Sequence, residues 1–470
     1  MNKNLLIIVT VCFLLYLPSL FGPFLWDDED FVYANQYVKE FRIDKFLIDS
    51  QTAGRGKLSN YYRPIPQIAY ATTHSIFGFN PFWFHLLNVL VHIGAACTVL
   101  AFFKIFLKTG EDKANSIPFL ISLFFLIHPV QTEAVSYISG LSDPLFVLFG
   151  FLSLSFFMLR DDRKNMIPLS LFFFALSLLS KETGLVFLPL IFLLNWKKSW
   201  PFVIAAGSYL WYHFTFINSF DINSAWGNTP YANSVLTRLS TFIQNIFLYV
   251  QLLIFPKELF MERDYSIVIQ KNIFNIYSIV FVIINVVLLL VIRKSKILLF
   301  CFFAFYISFI PYTGIVLING IFYEHFLYLT MVFFFAFIII LLPKNKLLLY
   351  CFIGLLVLFS VRNIVRQFDW NDSIRFYSQT LERAPKSLRI INGLGMAYAE
   401  KGEFDNAIRQ YSKIIRLNPN VPNAYHNIAN IYAAQGKINE AEQNYLKALE
   451  VDPTFLFSRQ ALDNLLKFSR

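Results

Sequence analysis

Directly after an apolar run, the sequence reads Trp26-Asp27-Asp28-Glu29-Asp30. Adjacent carboxylates raise one another's pKa, which suits a general base that takes a proton near neutral pH. The same cluster could hold a divalent cation, since hard cations take carboxylate oxygens. It could also simply open a helix, where acids favour the positive end of the dipole. Taken alone, the cluster does not choose among the three. Further along come Tyr61-Tyr62-Arg63-Pro64, with Arg55 and Lys57 just before them. An arginine near the headgroups can fork onto a phosphate. It can equally snorkel toward lipid phosphates with no catalytic part.

Other polar residues punctuate the apolar chain: His128 and Glu133, Asp143, Lys181 and Glu182, Glu324 and His325. Lone residues of this kind more often cap helices or bond across them. Lys181 and Glu182 join two short apolar runs, which sets both charges below the membrane surface. Charges at that depth usually face protein or a water-filled cavity; an internal ion pair holding two helices is the plainer alternative. Glu324 and His325 would line a cavity or be solvated in a late external turn. The sequence has no phosphate-cradling P-loop, no dinucleotide fingerprint and no His/Cys metal spacing. The charged loops are too short for a nucleotide-binding domain, so an activated substrate must arrive from the membrane or the external side.

The elements that position these residues are apolar. Of 470 residues, 56% are hydrophobic and 15% charged, where soluble chains are nearer a quarter charged. Runs approaching the roughly 20 apolar residues of a membrane span recur at 5–25, 82–107, 117–127, 144–159, 167–179, 185–194, 200–217, 276–292, 297–317, 322–342 and 347–361. The first is long for a signal-peptide core and no small-residue cleavage site follows it, so it reads as a span. The net charge of +10 does not point to nucleic acid, because the basic residues fall in short turns at 108–113, 160–164, 197–198, 293–296 and 344–346. By the positive-inside rule these turns are cytoplasmic. Residues 27–81 then form a long external loop. A further apolar run, 239–255, would invert every later turn if it crossed, so it is expected to lie re-entrant or flat on the external face. About eleven crossings put the C-terminal tail outside. Cys12, Cys97, Cys301 and Cys351 all sit in apolar runs, which argues against disulfides and thiolate metal sites.

The tail repeats. Pro385, Pro419 and Pro453 are 34 residues apart, and at that offset Leu394 matches Ile428, Tyr398 matches Tyr432, Gly402 matches Gly436, Ala407 matches Ala441 and Tyr411 matches Tyr445. This period and pattern signal tetratricopeptide (TPR) helix pairs. Small residues let two helices approach, glycine makes the turn and proline ends each pair. The expected division is a membrane domain at 1–365 and a TPR domain at 366–470. The latter comprises a half repeat at 373–385, repeats at 386–419 and 420–453, and a capping helix at 455–468. So few repeats are expected to need the membrane domain for support.

The stretch SNYYRPIPQIAYATTHSIFGFNPFWFHLLNVLVH at 59–92 resembles the first loop and second span of the TMTC family, the transmembrane and TPR-containing protein O-mannosyltransferases. HPVQTEAVSYISGLSDPL at 128–145, SKETGLVFLPL at 180–190, DYS at 264–266 and WNDSIRFY at 370–377 follow in the family's order. The resemblance covers nearly the whole chain, and bacteria have related proteins. It implies the all-α, polytopic GT-C-like membrane fold followed by TPR repeats, and a polyprenyl-phosphate sugar as donor. It also implies an acceptor met on the external or lumenal face, in a bacterial cell membrane or the endoplasmic reticulum. The family's catalytic base falls by position on Asp27 or Asp28, with Asp28 favoured. Family proteins often read Glu-Arg where this chain has Glu324-His325, which weakens a phosphate-binding role for that turn.

The residues fit this chemistry. A carboxylate can take the proton of an acceptor hydroxyl while the sugar carbon leaves phosphate in one inverting displacement. Phosphate is already a good leaving group, so the acid of a glycosidase pair is not needed. A nearby cation would stabilise the departing charge, with Arg63 first and Lys181 second. The expected function is transfer of a sugar such as mannose to an external protein hydroxyl, with the TPR groove presenting the acceptor. No metal is required by this reading, though a divalent cation is compatible with it. The rivals are a non-catalytic membrane scaffold that recruits envelope proteins through its repeats, and a transferase acting on a lipid or glycan.

Overall fold

The computed structural model describes residues 3–49, 61–108, 117–159, 166–217, 229–263, 266–343 and 345–468. Arg55, Lys57 and the Asp-Tyr pair at 264–265 lie outside them, as do most of the charged turns at 108–113 and 160–164. Among the described residues the chain is all-α, and it divides into two compact units. One is Met1–Leu259 with Ile267–Asn371; the other is Phe260–Ser266 with Asp372–Arg470.

The first unit is the helical membrane domain. Its principal helices are α1 (Lys3–Tyr16), α2 (Pro64–Phe77), α3 (Pro81–Phe106), α4 (Ile117–Ile127), α5 (Ser142–Leu159), α6 (Met166–Ser180) and α7 (Phe187–Asn195). After these come α8 (Trp200–Tyr212), α9 (Val235–Ile254), α10 (Ile276–Ile292), α11 (Lys296–Phe309), α12 (Leu327–Leu341) and α13 (Lys346–Trp370). Phenylalanines supply much of the core, Phe102, Phe103, Phe124, Phe125, Phe151 and Phe157 among them. Along α10 the side chains of Ile276, Ile279, Val282, Val286, Leu290 and Val291 are exposed. A helix apolar on its outer face in this way is suited to lipid.

The span count differs from the expected eleven. Among the described residues, four helical stretches are long and apolar enough to cross a membrane: Pro81–Phe106, Ile138–Leu159, Glu324–Leu341 and Lys346–Trp370. A fifth is reached if Ile117–Ile127 and Pro129–Val135, bent by 50°, count as one. The reason is that an apolar run is not always one helix. Pro18 stops α1 and opens a short 3-10 turn, Pro18–Phe21, because proline has no N–H and clashes with the preceding turn. Pro311 likewise sits in a 3-10 turn that ends α11. The 17-residue α10 is about 26 Å long at 1.5 Å per residue.

The run at 239–255 forms part of the 20-residue α9, which is amphipathic. It buries Thr237, Arg238, Ser240, Thr241, Gln244 and Asn245. Those groups meet a polar segment of chain rather than lipid. Thr241 Oγ1 accepts from the Gln270 backbone N–H at 3.0 Å, and Ser240 donates to the Asn272 carbonyl at 2.8 Å. Arg238 bonds the Gly314 carbonyl.

The helices α5 and α6 form the hairpin that carries much of the site. Serines hold them together: Ser170 donates to the Ser153 carbonyl at 2.7 Å and Ser177 to the Phe146 carbonyl at 2.8 Å. Small hydroxyl residues let apolar helices approach and bond across the seam. One turn beyond Ser177, the chain reaches Lys181.

The second unit is a set of helix pairs: α14 (Ser373–Arg383), α15 (Leu388–Glu400), α16 (Phe404–Leu417), α17 (Pro422–Ala434), α18 (Ile438–Val451) and α19 (Leu456–Phe468). Gly402 and Gly436, 34 residues apart, both take φ near +75°, a left-handed turn that glycine adopts without strain. Gly395 packs on the Tyr411 ring so closely that a Cβ would sit 2.5 Å from it. This is the small residue the repeat demands. Helix α13 continues to Trp370, so the two units divide after it, at Asn371.

Candidate active site

The site is built from four turns of the first unit. The turn after α1 comes first. Trp26 adopts φ +56°, which swings the chain so that Asp28 points inward. Asp28 is 1% exposed, whereas Asp27, Glu29 and Asp30 are half-buried. Its Oδ2 accepts from the Leu25 backbone N–H at 2.9 Å. Its Oδ1 accepts from the Ser139 backbone N–H at 2.7 Å and from the Ser139 hydroxyl at 2.6 Å. Burial pushes the carboxyl up to about 7, against the lowering effect of these three bonds. Asp27 donates its backbone N–H to the Tyr137 hydroxyl at 3.1 Å. Both acids are thereby tied to the short segment before α5.

The second turn precedes α2. Pro64 and Pro66 open that helix. Proline at the first helical position bars its predecessor from helical geometry, so Arg63 sits at the helix start with φ −132° and ψ 66°. Its guanidinium lies over the Tyr61 ring, 4.4 Å from the centroid. It also forks onto Glu182, with Nε 3.0 Å and Nη2 2.8 Å from Oε2. Burial works against the charge of Arg63, but the Glu182 carboxylate holds its pKa above the ordinary arginine value. The Tyr62 backbone N–H donates to the same carboxylate at 3.2 Å.

The third turn joins α6 to α7 and carries Lys181 and Glu182. Lys181 Nζ donates to both oxygens of Asp143, at 2.7 and 2.8 Å, and both side chains are almost fully buried. The ion-pair alternative raised by the sequence describes this turn: one charge clamps α5 and the other clamps the entry to α2. The fourth turn, before α12, holds Glu324 and His325. His325 donates from Nδ1 to Glu133 Oε1 at 2.7 Å and from its backbone N–H to Oε2 at 3.1 Å. The charges of Lys181, Asp143, Arg63 and Glu324 all act on His325. These sequence-selected residues therefore gather in one region.

His128 does not join them. Its Nδ1 accepts from the Val130 N–H at 3.2 Å and its Nε2 donates to the Leu253 carbonyl at 3.1 Å. With both ring nitrogens bonded and no exposure, it caps the bend after α4. Among the described residues, no group of three or more His, Cys, Asp or Glu side chains is arranged to hold a metal ion.

A cleft opens here, lined by Phe31, Tyr61, Arg63, Pro66, Gln67, Tyr70, Ser139 and Ser142. Arg63 is the cation on its wall. The Asp28 carboxylate stands directly behind Ser139. Gln67, Tyr70, Ser139 and Ser142 did not stand out in the sequence. Helical spacing could have paired two of them, because Gln67 and Tyr70 fall at i and i+3 on one face of α2. Chemically, the cavity offers aromatic walls, a guanidinium, hydroxyls and a carboxylate within one hydrogen bond.

Comparison with known proteins adds the family context. A family model described as TPR repeat matches residues 395–436. One described as Tetratricopeptide repeat matches 422–455. Over 197 residues, 40% of this chain and 27% of the other, the chain is 27% identical to a protein O-mannosyl-transferase of Caenorhabditis elegans. It is 33% identical over 147 residues to the protein O-mannosyl-transferase TMTC2 of Homo sapiens, covering 30% of this chain and 17% of that one. It is 29% identical over 192 residues to the human TMTC3, covering 39% and 20%. The chain thus spans between 17% and 27% of the length of these curated relatives. By these matches and its C-terminal repeats, the chain is a membrane-protein relative of the TMTC proteins, which are named protein O-mannosyl-transferases.

Proposed function

We propose that this protein is a membrane glycosyltransferase that moves a sugar, mannose by analogy with its named relatives, from a polyprenyl phosphate to a hydroxyl of a protein. The observation that carries the reading is one cavity lined by both Arg63 and Ser139, the latter bonded to Asp28. Phosphate and base are needed on opposite sides of the sugar carbon for an in-line, inverting displacement.

In this mechanism the acceptor oxygen forms a bond to the sugar's anomeric carbon as the carbon–oxygen bond to phosphate breaks. The acceptor's proton passes to the Ser139 oxygen, and the Ser139 proton passes to Asp28. A carboxylate titrating near 7 is matched to such a transfer at neutral pH. Arg63 uses its Nη1 edge, which Glu182 leaves open, to meet the departing phosphate charge. Lys181 supports this from the second rank by pinning Asp143 beside the same turn. Asp27 remains the alternative base, one residue away and less buried. The positive-inside pattern of the loop charges supports an acceptor that arrives on the external or lumenal side, and the repeats support a peptide as acceptor.

The test uses the full chain in lipid nanodiscs with radiolabelled mannosyl-phosphoryl polyprenol and Ser/Thr-containing acceptor peptides. Asp28→Asn is expected to lower turnover by roughly 10²–10⁴-fold, the usual contribution of a positioned base. Full activity in Asp28→Asn, with loss in Asp27→Asn, would transfer the role to Asp27. Absence of transfer by the parent with any donor or acceptor would favour the scaffold.

A further inference from the structure

The segment between α4 and α5 carries three contacts of the site. Glu133 meets His325, the Tyr137 hydroxyl meets the Asp27 backbone, and Ser139 meets Asp28. Its regular structure is one α-turn, Thr132–Val135, and two 3-10 turns, Pro129–Gln131 and Ile138–Leu141. Turns this short leave carbonyls without partners inside the segment, and buried carbonyls need partners from elsewhere. The segment also closes tightly on itself: a Cβ on Gly140 would sit 2.6 Å from the Ala134 carbonyl oxygen. Packing of that kind carries a shift at one carbonyl on to Ser139.

One side chain of α3 meets three of those carbonyls. Asn88 is fully buried, and its Nδ2 donates to the carbonyls of Val135 at 3.3 Å, Tyr137 at 2.8 Å and Ile138 at 3.1 Å. Its Oδ1 has no donor among the described residues, so all of its hydrogen bonding is directed at this segment. Three residues earlier, on the same helical face, His85 Nε2 donates to the Gly22 carbonyl at 3.2 Å. Gly22 starts the stretch that runs through Leu25 to Asp28. One face of α3 thus holds both the chain that bears the base and the segment that bears the base's partner. Tyr70 of α2 and Gln367 of α13 grip the same segment, at the Ile138 carbonyl (2.8 Å) and the Ser136 hydroxyl (2.6 Å).

We infer that Asn88 is a positioning residue for the base: by holding the carbonyls of residues 135, 137 and 138 it sets where Ser139 stands against Asp28. The inference rests on the reading of Asp28 as the base, but its first readout needs no transfer. The Ser139 bonds lower the Asp28 pKa, so a segment that slips away lets Asp28 hold its proton more tightly. The other titratable groups that bear on Asp28 are Asp27 beside it and Tyr70 on α2, and substitution at Asn88 removes neither. Asn88→Leu loses every bond to the segment. Asn88→Ser keeps one donor and leaves more room, and it carries the comparison where Asn88→Leu does not fold.

Infrared difference spectra of the full chain in nanodiscs, recorded against pH, follow the protonated-carboxyl band that Asp28→Asn removes. In the parent this band should titrate at about 7. In the Asn88 variants the titration should move to higher pH, the proton being held about tenfold more tightly, the effect of one hydrogen bond to a charged group. The shift caused by Asn88→Leu should be smaller in a Ser139→Ala background, where only the backbone N–H is left to lose. Where transfer is measured, kcat is expected to fall roughly 10-fold at neutral pH with the donor KM unchanged. A titration that keeps its parental position, with only a lower thermal midpoint, would overturn the inference and leave Asn88 as a fastening of the fold. So would an equal shift in both backgrounds, which would place the effect on a route other than Ser139. If the band moves as expected and the parent transfers sugar to no acceptor, Asn88 still sets Ser139 against Asp28 and the transferase reading fails. If the parent transfers sugar and the Asn88 variants keep its kcat and its pH profile, the reading stands and the inference fails.

Discussion

Asp28 is pulled in two directions. Burial at 1% exposure disfavours its charge, while three donors favour it, and burial wins by enough to bring the group to about 7. The sign follows directly. A base must be unprotonated, so kcat/KM should rise with pH through about 7 and then level off. Stability should run the other way: the native state holds this proton more tightly than the unfolded chain, so stability falls as pH climbs from the ordinary carboxylate range to about 7. Ser139 offers a sharper check. Its hydroxyl bond lowers the Asp28 pKa, so Ser139→Ala should move the rising limb to higher pH and slow turnover on the order of 10-fold or more. A limb that stays in place would mean that another group is titrating. The sequence made the acidic cluster visible at once. The residues alone did not single out Asp28, which only the family resemblance favoured, because the choice depends on the left-handed turn at Trp26 and on a partner 111 residues away. His128 follows the plainer expectation for a lone polar residue: it caps the bend after α4, which uses both its nitrogens.

At the scale of elements, the α5–α6 hairpin determines where the charges sit. The Ser177–Phe146 bond and the Lys181–Asp143 pair are successive rungs of one ladder. Removing one partner of a pair this buried leaves a bare charge, which costs roughly 3–5 kcal/mol, whereas replacing both by apolar side chains is often neutral. Asp143→Asn should therefore lower the thermal midpoint in detergent, and Asp143→Leu with Lys181→Met should recover most of the loss. A double variant as unstable as the single one would show that packing, and not charge, holds the hairpin. The hairpin was legible because its apolar runs and its charged connection are local in sequence. The span count was not, since hydropathy does not say where Pro18 or Pro311 will break a helix. Helix α9 was partly legible: its apolar residues were plain, but its buried polar face answers to Gln270 and Asn272, which periodicity cannot pair with it.

For the whole molecule, the 34-residue period made the repeats the most readable part of the chain, down to the glycine turns. One part of that unit carried no signal. The segment Phe260–Ser266 lies between α9 and α10 in sequence yet groups with the repeats in space. Nothing in its composition marks it, because such a contact is made across more than a hundred residues of chain. Within it Phe260 and Met261 are each 5% exposed, and Arg263 lies over the Phe260 ring at 4.1 Å. So short an array gains from any added apolar cover, since repeats are stabilised by what stacks on them. Replacing both Phe260 and Met261 by serine should hasten proteolytic cleavage within 372–468 in the full chain, while cleavage between α1 and α8 keeps its parental rate. Faster cleavage everywhere would point to general misfolding. Unchanged cleavage of the repeats would detach the segment from them and leave the array to stand on its own pairs.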